Sequence, residues 1–403
     1  MPIPKLRFKD NQGRDYPDKI VKRIENLILE YKEKVDANSN LPILTSSKQF
    51  GIEFQEDHFA GKQRHDIEGY NVLPRNYCTY RNRSDGLDFK FNINTICEKG
   101  IISKFYPVFK GNNCNLYFLK TLLNNDPATL RKIAYTAKGT SQKILSITDL
   151  KKITVTIPTL PEQEKIADFL SAYDRQIDIQ SQRVEAMKVR KKGLLQKIFS
   201  QEIRFKDDKG KEFPKWEEKK LGEAFDYMNY GMNAAAKPYD GENKYLRITD
   251  IDEDNNQYKQ NSYVSPSGDL QEKYVLHEGD ICFARTGASV GKTYIYNPLD
   301  GKVYFAGFLI RGHVSEMCVA YFIFLQTLSD KYNKWVKIMS ARTGQPGINL
   351  EEYKTFAIDV PSLPEQQKIA DFFTAVDKQI EVEEKRLETM KIIKKGLLQQ
   401  MFI

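Results

Sequence analysis

Residues 157–199 read IPTLPEQEKIADFLSAYDRQIDIQSQRVEAMKVRKKGLLQKIF, and residues 360–402 read VPSLPEQQKIADFFTAVDKQIEVEEKRLETMKIIKKGLLQQMF. The two stretches align without a gap at a constant offset of 203, and 25 of 43 positions are identical. A gapless duplication of that length confines the chain to a tandem architecture, because whatever one copy forms the other must form too. The likeness thins outward without stopping. Leu6-Arg7-Phe8-Lys9-Asp10, with Gly13 and Pro17, answers Ile203-Arg204-Phe205-Lys206-Asp207, with Gly210 and Pro214. Ser141–Pro158 answers Gly344–Pro361 in the same way. The chain therefore divides into a variable block (1–156), a constant block (157–200), a second variable block (201–359) and a second constant block (360–403).

Each constant block has the signature of one long helix. Pro161 and Pro364 stand where a first-turn proline loses no hydrogen bond, and a glutamate follows in the positive first turn. Apolar residues then recur on a heptad. In the first copy Ile166, Tyr173, Met187 and Leu194 alternate with Leu170, Ile177, Val184 and Ile198. In the second, Ile369, Val376, Met390 and Leu397 alternate with Phe373, Ile380, Leu387 and Met401. The seams are interrupted at Gln180, Lys191, Glu383 and Lys394. A parallel, in-step pair would oppose Lys191 to Lys394 in a partly desolvated seam. An antiparallel pair can instead set Lys191 against Glu383 and Gln180 against Lys394, and this is the expected register. About 33 helical residues at 1.5 Å each span on the order of 50 Å, enough to serve as a spacer.

The variable blocks mix both kinds of element and read as α+β. Strands are expected at Leu41–Leu44, Tyr77–Tyr80, Tyr245–Ile248, Asp280–Ala284 and Val303–Ile310. Helices are expected at Leu116–Ala137, interrupted at Asn124–Pro127, and at Val319–Met339; each precedes a polar loop, GTSQKILS or ARTGQPGINL. These loops offer small residues for close approach, with amide, guanidinium and hydroxyl groups of the kind that pair with base edges. The candidates in the first block are Arg81, Arg83, Thr140, Ser141, Gln142 and Lys143, with Tyr70, Arg75, Tyr77 and Tyr80 nearby. In the second block they are Arg247, Arg285, Thr286, Ser289, Lys292, Arg342, Thr343 and Gln345, with Asn349. The blocks have diverged far more than the helices, so two binding blocks would bind different things.

Length and composition set the outer bounds. At 403 residues with 40% hydrophobic residues, the chain has enough apolar material for more than one core. A net charge of +8 suits a polyanionic partner without demanding one. Five scattered cysteines, with no paired CxxC spacing, fit reduced thiols rather than a disulfide framework or structural zinc. The first residues lack the apolar run of a signal peptide, and a cytoplasmic protein is expected.

Several enzyme signatures fail on inspection. Gly287 to Thr293 resembles a phosphate loop but has too few residues between its glycines. Pro17-Asp18, Glu30 and Lys32 mimic a nuclease triad, but Lys19–Leu29 looks helical and would hold the carboxylates apart. His58, His65, His277 and His313 form no ligand cluster, so no metal is expected. Asn297-Pro298-Leu299-Asp300 is not the NPPY-like tetrapeptide of amino-methylating enzymes. Three classes compete: a non-catalytic DNA reader, an autonomous nucleic-acid enzyme, for which no convergent carboxylate or cofactor site is visible, and a coiled-coil scaffold that binds only protein. Salt-dependent, sequence-selective binding to duplex DNA separates the first from the third.

The LPEQEKIADFLSAYDRQI and LPEQQKIADFFTAVDKQI stretches resemble the specificity subunits of type I restriction-modification systems. So do EGDICFARTGASVGKT at 278–293, FAGFLIR at 305–311 and TGQPGINL at 343–350. The resemblance implies two target-recognition domains, each reading one half of a bipartite, asymmetric duplex DNA site. It implies an antiparallel helix pair that sets the gap between the halves. It also implies two modification subunits that hold S-adenosylmethionine and methylate adenine, and a restriction subunit that uses ATP and magnesium. No cofactor is then expected in this chain. The resemblance covers Arg285, Arg342, Thr343 and Gln345 closely, whereas GTSQKILSITDL departs from TGQPGINL.

Overall fold

A computed structural model describes residues 6–58, 66–253, 255–260, 263–341 and 345–402. By contact the chain separates into two units, Met1–Gln182 with Glu384–Ile403, and Arg183–Glu383. Each repeat's long helix therefore contributes its two ends to different units.

In the first unit a four-stranded antiparallel sheet runs in the order Ile28–Tyr31, Val108–Gly111, Cys78–Tyr80, Phe91–Ile93. Two helices, Leu116–Asn125 and Pro127–Thr136, follow it. The break between them is set locally: the Asp126 carboxylate caps the second helix by accepting the Thr129 N–H, and Pro127 takes its first turn. The strand Ile20–Arg23 pairs antiparallel with Thr154–Ile157, so the beginning of the block is fastened to its end. The core gathers Ile24, Leu27, Tyr80, Phe91, Phe109, Phe118 and Leu150, and adds Leu170 from one long helix, Met401 from the end of the other and Phe402 just beyond it.

The second unit repeats the plan. Its sheet runs Phe225–Tyr230, Leu309–Val314, Asp280–Ala284, Thr293–Ile295, also antiparallel. Glu217–Lys220 pairs with Ala357–Val360, and the helices are Ala320–Gln326 and Asp330–Met339. Phe283, Phe322, Tyr332, Tyr353 and Phe356 fill the core, together with Leu195 and Ile198 from the first long helix. A smaller core of Leu246, Ile251, Tyr258, Tyr294 and Phe305 lies on the same block. The α+β class and the paired long helices are as expected, and Asp280–Ala284 is a strand at the expected bounds.

Lys19–Leu29 is not a helix. It forms the strand Ile20–Arg23, a turn of tighter helix at Ile24–Asn26, and the start of the strand Ile28–Tyr31. Ile24, Leu27 and Ile28 are buried at helical spacing because that single turn points them inward. The supposed nuclease triad gains nothing from the change, since the Glu30 carboxylate is taken by Lys151 at 2.8 Å.

The long helices run Leu160–Phe199 and Leu363–Met401. Every residue of the expected heptad seam is buried or half-buried. Within each unit the two helices lie antiparallel, but the register differs from the expected one. In the second unit Lys191 pairs with Asp377 at 2.5 Å, and Glu383 pairs with Arg183 at 2.8 Å. In the first unit Lys394 pairs with Asp174. The long lysine stem lets the ammonium leave the seam and find a carboxylate on its flank. There Asp174 also accepts the Tyr117 hydroxyl, and Asp377 the Tyr321 hydroxyl. Burial, together with the neighbouring carboxylate, pushes both phenols up. Each variable block is thereby tied to both long helices through one aspartate.

The LPEQ motif makes the other tie. Arg7 donates through Nε and Nη2 to Glu162 at 2.9 and 2.8 Å, and through Nη2 to the Tyr16 and Pro17 carbonyls. Arg204 does the same to Glu365, Phe213 and Pro214. Gln163 accepts the Asn115 N–H and donates to the Pro158 carbonyl, and Gln366 accepts from Val319 and donates to Pro361. The motif is thus a clamp on its own block.

Candidate nucleic-acid interface

The structure brings together the polar clusters that the sequence keeps far apart. In the first unit Arg83 and Ser84 pair antiparallel with Ile144 and Lys143. The Asn82 N–H donates to the Phe105 carbonyl and the Leu145 N–H to the Asn82 carbonyl, both at 2.9 Å. Gln142 reaches Asp85 at 3.3 Å, and Lys143 Nζ donates to the Gly139 carbonyl at 2.6 Å. Arg81, Thr140 and Ser141 are exposed beside them. The Arg83 guanidinium lies 4.1 Å from the centre of the Phe105 ring, a stack that holds its fork in one plane.

The second unit repeats this arrangement with other side chains. Thr286 bridges to Gly347, the Arg285 N–H donates to the Phe308 carbonyl at 3.0 Å, and the Ile348 N–H donates to the Arg285 carbonyl at 2.9 Å. Every one of these positions stands at the offset of 203 from its counterpart: Asn82 and Arg285, Arg83 and Thr286, Phe105 and Phe308, Ile144 and Gly347, Leu145 and Ile348. Gln142 and Gln345 stand at the same offset, so Ile144 and Leu145 take the places of Gly347 and Ile348 although the side chains differ. The Arg285 guanidinium lies 4.7 Å over the Tyr230 ring, and its buried Nε has no hydrogen-bond partner among the described residues. Gly287, at φ +71°, packs against the exposed Gln345: a Cβ there would lie 3.4 Å from the amide nitrogen.

The remaining candidates fall into three groups. Ser289 closes the turn Gly287–Ser289, and Lys292 just after it pairs with Glu253 at 2.5 Å. That glycine-rich run is a hairpin loop between two antiparallel strands, without the following helix that a phosphate loop requires. Arg247 spends its guanidinium on the buried Asp250, at 2.8 and 2.7 Å. Arg342 and Thr343 lie outside the described residues. Of the nearby tyrosines, Tyr80 is a core residue whose hydroxyl donates to the Leu145 carbonyl, and Tyr77 packs on Tyr31. Arg75 is taken by Glu98 and by the Thr95 carbonyl.

Composition had not marked the support behind the second loop. Asp280 is fully buried and sits 2.7 Å from His313 Nδ1 and 3.4 Å from Arg311 Nη1, while also accepting the His277 N–H. Arg311 further binds Asn229 and the Val275 and Lys273 carbonyls. These groups spend their hydrogen bonds inside the block and stiffen the sheet from which the loop springs. Among the described residues no group of three or more His, Cys, Asp or Glu could hold a metal ion, and no helix is long and apolar enough to cross a membrane.

Two similar α+β blocks, each drawing its two polar segments together and each clamped to the two long helices, define a tandemly duplicated protein. The sequence profile described as the type I restriction modification DNA specificity domain matches residues 87–188 and 214–391, and the chain belongs to that family. It is 26% identical over 276 residues to the type I restriction enzyme MjaVIII specificity subunit of Methanocaldococcus jannaschii, covering 65% of this chain and 64% of that one. It is 25% identical over 136 residues to the HindI specificity subunit of Haemophilus influenzae, covering 33% of this chain and 30% of that one. The match thus spans less than two thirds of either relative. Two solved structures share the fold. The type I restriction-modification S subunit from M. genitalium has a TM-score of 0.59 at 15% identity, covering 99% of each chain. A second, described by complex assembly and conformational transition of the type I system, scores 0.53 at 16% identity, covering 96% and 98%.

Proposed function

We propose that the chain is the DNA-specificity subunit of a type I restriction-modification complex, acting in the cytoplasm. Each block reads one half of a bipartite, asymmetric duplex site from the major groove through its paired loops. The antiparallel helices set the gap between the halves and dock two methyltransferase subunits, with a restriction subunit joining them. In this reading the chain performs no chemistry. Methyl transfer to adenine and the S-adenosylmethionine it uses belong to the modification subunits, and ATP and magnesium to the restriction subunit.

The observation that carries the reading is the pair of loop sites. Their backbone bonds match at a fixed offset while their exposed side chains differ, as two readers of different half-sites require. Selection from randomised duplexes by the full chain with its modification subunits tests it. Two short, different motifs separated by a fixed gap of roughly half to one helical turn, about 34 Å per turn, are expected. Affinity should also fall steeply with salt. A continuous palindrome, or binding without sequence preference, would overturn the reading.

A further inference from the structure

Phe308 is an exposed aromatic beside the second loop pair, with 59% of its surface accessible against 41% for Tyr230, which carries the Arg285 guanidinium. Its loop is rigid. The Leu309 N–H donates to the Ala306 carbonyl, the Gly307 N–H to Met232 and the Met232 N–H to Phe305. At Gly231 a Cβ would lie 2.2 Å from the Ala306 oxygen, so the neighbouring backbone closes on the loop without slack. The Phe308 carbonyl receives the N–H of Arg285, and across that residue the Arg285 carbonyl receives the N–H of Ile348. The backbone that carries the ring is therefore held beside Arg285 and Ile348.

The first unit builds the same loop around Phe105, with the Tyr106 N–H donating to the Ser103 carbonyl in place of the Leu309 bond. There the ring is half-buried, because the Arg83 guanidinium lies over it. The residue in the place of Arg83 is Thr286, which is too short to cover a ring, and Phe308 is left bare. A bare, preorganised aromatic costs little further ordering on binding. Among the groups in the major groove, the 5-methyl of thymine is the one that an apolar ring contacts and a polar side chain does not.

Resting on the DNA-reading function above, we propose that Phe308 is a specificity-determining residue that contacts the methyl group of one thymine in the second half-site. Its counterpart is the Arg83–Phe105 stack, which presents a guanidinium to guanine in the first.

The test uses the full chain with its modification subunits, as wild type, Phe308→Ala and Thr286→Arg. Each selects from randomised duplexes, and each is then titrated on the wild-type site and on copies with single thymine-to-uracil replacements. For the wild type, one uracil in the second half-site should weaken binding about ten-fold, the equivalent of about 1.4 kcal/mol. Phe308→Ala should lose a similar factor on the thymine site, become indifferent to that uracil, and keep the first half-site unchanged. Thr286→Arg should move the preference at that position toward guanine. Phe308→Ala selecting the same second half-site at unchanged affinity overturns the inference alone. So does a second half-site without a methyl-sensitive thymine, with Phe308 then facing a protein partner. A wild-type complex with no sequence preference overturns the DNA-reading function as well.

Discussion

The two arginine–glutamate clamps make a quantitative prediction that depends on which partner is removed. Glu365 has 0% of its side chain accessible and Arg204 has 24%. Replacing Arg204 with alanine strands a carboxylate in the interior, which has no water to recover. Removing one partner of a buried pair costs about 3–5 kcal/mol. Replacing Glu365 with glutamine leaves a neutral amide of the same shape, and the freed guanidinium can rehydrate at its accessible edge. The loss there is the difference between a charged and a neutral hydrogen bond, about 1–2 kcal/mol. Both tryptophans, Trp216 and Trp335, belong to the second unit, so their fluorescence follows that unit during unfolding. Arg204→Ala should lower the midpoint of the tryptophan transition by roughly 6–20 °C, taking about 2–4 °C per kcal/mol at this size. Glu365→Gln should lower it by less than half as much. Arg7→Ala, at the equivalent clamp of the first unit, should act mainly on the part of the far-UV transition that tryptophan does not report. Equal losses for Arg204→Ala and Glu365→Gln, or a loss under about 0.5 kcal/mol for the former, would show that the carboxylate is not desolvated as described.

Three further outcomes follow from the same geometry. Lys191→Glu should destabilise the second unit by about 1 kcal/mol, since the pair is partly exposed, and Asp377→Lys in the same chain should restore part of it. Additive losses in that cycle would contradict the observed register, and recovery with Glu383→Lys instead would favour the seam pairing. The Lys152 ammonium and the Ser146 hydroxyl hold the Asp149 carboxyl at about 2, below its ordinary value. A carboxyl lowered by folding stabilises above its ordinary pKa and loses that contribution as pH falls from about 4 to about 2, so Asp149→Asn should flatten this part of the acid limb in circular dichroism. Burial pushes the Cys78 and Cys282 thiols well up. Both should resist Ellman's reagent in the native chain and react only on unfolding, and rapid native labelling of either would refute their burial.

What the sequence made legible was whatever acts locally or by repetition. The duplication, the helical seams and the break at Asp126-Pro127 all carry their own chemistry within a few residues. Three features escaped for identifiable reasons. Ile24, Leu27 and Ile28 imitate a helix because one tight turn buries them together, whereas the strand before them is defined by pairing with Thr154–Ile157. The helix register was inferred from the polar seam residues, but the lysines find Asp174 and Asp377 on the flank, where a tyrosine from the block meets them. The first polar loop looked unlike the second because its likeness lies in main-chain hydrogen bonds, which leave no mark on side-chain identity.

That last point bears on how such a chain changes what it recognises. Three of the identities between the two copies fall on residues whose partners are elsewhere in the same chain: Glu162 and Glu365 on their arginines, Gln163 and Gln366 on backbone amides, Asp174 and Asp377 on lysine and tyrosine. Changing one of these leaves a buried or half-buried partner unpaired. At the loops the same frame is held by backbone bonds that survive Asn82 standing against Arg285, and Arg83 against Thr286. A substitution there disturbs no hydrogen bond of the frame, so its consequence falls on whatever the side chain faces outside the protein. In the proposed function the separation is physical: stability rests with the clamps and main chain, and selectivity with the loop side chains. Exchange of loop residues between the blocks should therefore cost little in folding, whereas loss of a clamp residue should not be tolerated.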